Sequence, residues 1–199
     1  LILAFDTSVA RTGYVLGKPG GPVRVGSFGV REGARERMGS LQHEWLQTAL
    51  PLIKQADRVY FEAPINPQHM NFETQRKIWA VVSILEYGLH RLNVPGYAIA
   101  NGSHKKLIYD HGGPKPENTV EYAQAWGLNA TNNDQADACG IFLYALSRDY
   151  ADAFRGWLSI RRKAPLVVRI AKPKKPGKGK AGHKVQPRRT LAAPTLFQE

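Results

Sequence analysis

The chain has 199 residues, 43% hydrophobic and 22% charged, with a formal net charge of +12. Such a composition suits a globular domain and excludes a wholly disordered chain; no apolar run reads as a membrane span, and no basic-apolar leader opens the sequence. A lone cysteine, Cys139, excludes an internal disulfide framework and a Cys-rich zinc site, so a reducing, cytoplasmic setting is expected.

The charge is unevenly spread. Residues 161–199 hold 12 Lys or Arg and one acid, whereas residues 1–160 hold 16 Lys or Arg and 15 acids. The expected division is a nearly neutral domain over 1–160 and a Lys-, Pro- and Gly-rich tail over 161–199, largely disordered. A tail of this charge, with Lys172, Lys174, Lys175, Lys178 and Lys180 at its centre, attracts a polyanion, most often nucleic acid.

In chain order, residues 1–6 form a short apolar run closing on Asp6, which predicts a buried strand. Residues 14–16 and 23–30 supply two further strands across the turn-rich segment 17–22, giving three antiparallel strands. Met38, Leu41, Trp45, Ala49, Leu52 and Ile53 recur at helical spacing within 35–56, with Pro51 kinking or ending the helix. A fourth strand, 58–62, ends on Glu62, and 64–71 reads as a loop. Residues 72–92 make the clearest helix: Ile78, Val82, Leu85, Leu89 and Leu92 share one face, while Trp79, Ile84 and Tyr87 widen the apolar surface. That width predicts burial on two sides, the second against another subunit. A fifth strand at 95–100, a short helix from Ser103 to about 109, a helix over 118–126 and a long helix over 132–146 capped by asparagine complete the pattern. Strands followed by helices in this order predict an α/β sheet with helices on its faces.

Four acids occupy chemically suggestive places. Asp6 and Glu62 end strands, and Asp134 and Asp137 open the last long helix at i and i+3, on one face. A carboxylate at the end of a buried strand is expensive to desolvate unless it is paired or coordinates a cation. Oxygen donors suit hard divalent cations, and a pair of such ions can activate water and stabilise a leaving phosphodiester oxygen. His69, His104 and His111 have irregular spacing and no Cys partners, so a zinc site is not expected and they read as loop histidines. Cys139 reads as core.

The run Asp6-Thr-Ser-Val-Ala-Arg-Thr-Gly13-Tyr14 resembles the opening motif of RuvC-type Holliday junction resolvases, within the ribonuclease H-like superfamily. The resemblance continues with Glu62 at the end of a middle strand and Asn133-Asp134-Gln-Ala-Asp137-Ala at a late helix start, and covers about residues 1–147. It implies a ribonuclease H-like fold with a central mixed five-stranded sheet flanked by helices. It also implies a homodimer, paired nicks across a four-way DNA junction, and two Mg²⁺ or Mn²⁺ ions held by Asp6, Glu62, Asp134 and Asp137. Lys105 and Lys106, with Lys115 further on, fall where that family carries catalytic-loop lysines that contact the scissile phosphate. Two departures stand out: Ser8 replaces a usual glycine, and Ile65 stands where the family has a base-unstacking phenylalanine. Ile65, Met70 or Phe72 would then serve as the wedge. The basic tail, absent from the compact bacterial enzymes, points to a phage or otherwise divergent lineage.

Other readings remain open at this level. The same acids would serve a flap nuclease, a branched-DNA nuclease or an RNA–DNA hybrid nuclease. The opening run also resembles actin-like tRNA-modification partner proteins, although these need a later Gly-rich segment that is absent between 90 and 150 apart from Gly112-Gly113. A non-catalytic nucleic-acid-binding module is the remaining class. The apolar segment 194–197 is a weak candidate for docking on a partner protein.

Overall fold

The computed structural model describes residues 1–64, 71–109 and 119–163, all within one compact unit, Leu1–Pro165. Five strands, β1 (Ile2–Asp6), β2 (Arg11–Gly17), β3 (Val23–Gly29), β4 (Arg58–Glu62) and β5 (Gly96–Ile99), form one sheet in the order β3-β2-β1-β4-β5. The first three pair antiparallel, whereas β4 and β5 run parallel to β1. The helices are α1 (Met38–Ile53), α2 (Phe72–Leu92), α3 (Asn101–Tyr109), α4 (Thr119–Ala125), α5 (Asn133–Asp149) and α6 (Ala151–Lys163), with a 3₁₀ turn at Glu32–Glu36. This is the mixed, helix-flanked five-stranded sheet that the resemblance implies.

Strand alternation divides the interior into two cores. Ile2, Ala4, Val15 and Tyr60 face α3, α4, α5 and α6, where Trp126, Phe142 and Trp157 are buried. Leu3, Phe5, Leu16, Val59 and Phe61 face α1 and α2, where Trp45 and Leu85 are buried. A hydrogen bond ties strand β2 to the second layer: buried Trp45 Nε1 donates to Thr12 Oγ1 at 2.8 Å. Beneath the first layer, the Tyr60 hydroxyl donates to Asp149, and burial pushes its pKa upward.

Helix boundaries follow local chemistry. Asn71 caps α2, its side chain accepting from Thr74 N, and Asn93 ends it in the left-handed conformation (φ 53°). Pro51 lies in the last turn of α1, which stops at Ile53. Two features were not expected. The 3₁₀ turn precedes α1, and α6 runs to Lys163, past residue 160. Ala153, Phe154, Trp157 and Leu158 recur at i, i+1, i+4 and i+5, the stripe that packs α6 on the α5 layer. No described helix is long and apolar enough to cross a membrane.

Candidate active site at the strand ends

The register places the first two acids. Phe5 pairs with Phe61 between the parallel strands β1 and β4, so Asp6 and Glu62, one step further, end adjacent strands at the same edge. They share the parity of Ala4 and Tyr60 and therefore lie on the α5 side of the sheet. Asp6 is buried at 9% exposure, and the Glu62 side chain is 15% exposed.

The other two acids arrive on α5, and Gly13 is the reason they can. Asp6 pairs with Gly13 across the antiparallel β1–β2 ladder. A Cβ built on Gly13 would lie 1.9 Å from the Asp134 carbonyl oxygen and 2.8 Å from Gln135 N. Only a residue without a side chain lets the first turn of α5 rest on the sheet beside Asp6. That turn is also fixed from outside. Asn132 caps it, accepting from Gln135 N at 3.0 Å, and Asn132 Nδ2 and Gln135 Nε2 each approach Ser27 Oγ on β3 at 3.3 Å. Asp137, one turn on, is buried.

A second close approach positions α3. A Cβ at Gly140 of α5 would lie 3.1 Å from His104 Cδ2 and 3.3 Å from Ile108 Cγ2. Seated there, α3 puts His104 Nε2 at 3.9 Å and Lys105 Nζ at 4.0 Å from Glu62 Oε1. His104 is therefore a fully buried helix residue beside an acid, which corrects its reading as a loop histidine. The signal was its i, i+4 relation to buried Ile108. Lys106 is exposed on the same helix. Cys139 lies in the core as expected, and burial pushes its thiol pKa up.

The sequence reading overlooked Arg11. Its Nε donates to Asp134 Oδ2 at 2.6 Å, and it shares the face of Gly13 and Val15. The turn before it explains Ser8 in place of glycine. The Ser8 hydroxyl donates to Arg11 O at 2.7 Å and accepts from Arg11 N at 3.1 Å, while Thr12 Oγ1 donates to Ser8 O at 3.1 Å. A side chain does the work of turn closure here.

Phe72 opens α2 and is 75% exposed. Trp79 and Tyr87 are 49% and 52% exposed, so the second apolar side of α2 faces outward. Ile65, Met70, His69, His111, Lys115, the tail lysines Lys172, Lys174, Lys175, Lys178 and Lys180, and the segment 194–197 lie outside the described residues.

The donor set is all oxygen, contributed by neighbouring strand ends and one helix start, and in kind it fits a hard divalent cation. Among the described residues no three His, Cys, Asp or Glu side chains stand close enough to hold one as arranged. Arg11 and Lys105 supply positive charge to two of the four acids, Asp134 and Glu62.

The fold, a mixed five-stranded sheet in this order with helices on both faces, is shared with solved structures. The solved structures it resembles include Thermus thermophilus RuvC, at 19% identity and a TM-score of 0.53, covering 74% of this chain and 95% of that one. A second is T. thermophilus RuvC in complex with a Holliday junction substrate, at 15% identity and 0.53, covering 74% and 94%. A third is the yeast mitochondrial Holliday junction resolvase, at 14% identity and 0.44, covering 81% and 80%. No protein-family model matches the chain, and no curated protein sequence does.

The close approach at Gly13 sets a measurable cost. Gly13→Ala is expected to lower the unfolding free energy by about 1–3 kcal/mol in urea denaturation, because backbone has to move. Gly39→Ala, in α1 where an added β-carbon would meet nothing within 4 Å, is expected to be neutral or stabilising by up to about 1 kcal/mol.

Proposed function

We propose that this protein is a structure-specific endodeoxyribonuclease that resolves four-way (Holliday) DNA junctions by paired hydrolytic nicks. The observation that supports this most is the gathering of Asp6 and Glu62 with the Asp134–Asp137 turn at one edge of a RuvC-type sheet. One of the similar structures is a RuvC in complex with a Holliday junction substrate, which supports the choice of substrate.

In this reading Asp6, Glu62, Asp134 and Asp137 would hold two Mg²⁺ or Mn²⁺ ions. When bound, such ions supply activation of the attacking water and neutralisation of the leaving oxygen. Lys105, already beside Glu62, neutralises the non-bridging phosphate oxygens, and Lys106 and Lys115 hold flanking phosphates. Phe72, exposed at the start of α2, is the described candidate for opening the base stack, with Ile65 and Met70 as the other candidates. A four-way junction presents two equivalent strands. The outward apolar side of α2, carrying Trp79 and Tyr87, is the face on which a second copy would bring a second site. Residues 161–199 act as a phosphate-binding tail attached to the nuclease domain, and the setting proposed is the cytoplasm, with the nucleoid or, for a phage-encoded protein, in the host.

Asp6→Asn and Asp137→Asn are each expected to abolish Mg²⁺-dependent cleavage of a synthetic immobile junction while binding persists in gel shift. Wild-type turnover by either variant would remove that residue from the site. A flap and an RNA–DNA hybrid assayed alongside would reveal a different substrate class by faster cleavage. Analytical ultracentrifugation is expected to find a dimer at micromolar concentration, and Trp79→Glu a monomer. Truncation after residue 163 is expected to weaken binding to duplex and junction alike and to flatten the slope of affinity against salt, with the turnover at saturating substrate retained.

A further inference from the structure

Arg11 occupies a carboxylate that the proposed chemistry requires, and its backbone has little freedom. The Ser8 hydroxyl bonds both its N–H and its carbonyl. From the other side, Arg35 donates through Nη2 to Ala10 O at 3.3 Å and through Nε to Val30 O at 2.7 Å. Asp134 is equally fixed, its carbonyl lying over Gly13. The Arg11 side chain, 56% exposed, is the part at liberty to leave, and the Asp134 side chain is 25% exposed.

We propose that Arg11 is a resident counter-ion of Asp134, which a divalent cation has to displace, so that filling the site and releasing Arg11 are one event. A guanidinium 2.6 Å from Oδ2 and a dication on the same carboxylate repel each other at contact distance, and the mobile partner yields. The released guanidinium stands at the solvent edge of the site, where its planar fork suits a phosphodiester oxygen. The pairing thus keeps the acids from repelling one another before loading and makes a phosphate-binding group available after it. This inference rests on the cation-binding reading of the four acids.

The test is Mn²⁺ titration of the full-length protein, without DNA, followed by electron paramagnetic resonance. The proteins are wild type, Arg11→Gln, Asp134→Asn and the double variant. Arg11→Gln is expected to bind Mn²⁺ about fivefold more tightly than wild type, the scale of one surface ion pair removed. In the Asp134→Asn background the same change is expected to alter affinity by less than about twofold. Mn²⁺ affinity of Arg11→Gln equal to or below that of wild type would overturn the displacement while leaving the metal site standing. A full gain that persists without Asp134 would also overturn it, because the effect would then be general charge. Failure of all four proteins to bind Mn²⁺ would overturn both this inference and the cation-binding reading.

Discussion

The contact between Gly13 and the first turn of α5 is the constraint on which the site depends. A helix normally stands off a sheet by the thickness of two layers of side chains. Here the Asp134 carbonyl sits where a β-carbon would be, so the helix start descends to the level of the strand ends. Asp6 is the cross-strand partner of Gly13, and this descent brings the helical acids to its side. Gly140 repeats the device one helix further out, letting α3 settle on α5 and carry Lys105 to Glu62. Two glycines, each facing backbone or ring atoms, therefore fix the relative depth of three elements.

Much of this was legible in the sequence because it depends on periodicity. The short runs at 1–6 and 58–62, each closing on a carboxylate, and the helical spacing over 72–92 reproduce β1, β4 and α2 to within a residue. The acids were legible for the same reason: strand ends and helix starts are places a pattern can mark. The aspartate-to-glycine spacing marked Gly13, but not what the missing side chain makes room for.

What escaped the sequence reading depends on partners far apart in the chain. Arg11 lies 123 residues from Asp134, and no local pattern links them. Ser8 looked like a departure from a glycine-bearing turn, yet its hydroxyl closes that turn through Arg11. His104 looked like one of three scattered histidines until α3 was packed on Gly140. The α6 stripe of Phe154 and Trp157 was present in the sequence but overshadowed by the charge that follows it.

The division of the interior by the parity of β1 has a consequence for how damage to this molecule would be felt. Leu3 and Phe5 look toward α1 and α2, whereas Ile2 and Ala4 look toward α5, the helix that delivers two of the acids. A fault in packing below the sheet is absorbed by a layer that holds none of the four carboxylates, and it surfaces as altered foldedness. An equal fault above it bears on α5 and shifts Asp134 and Asp137 relative to the strand ends that carry Asp6 and Glu62. Neighbouring residues of a single strand thus belong to different kinds of phenotype, sorted by whether their number is odd or even.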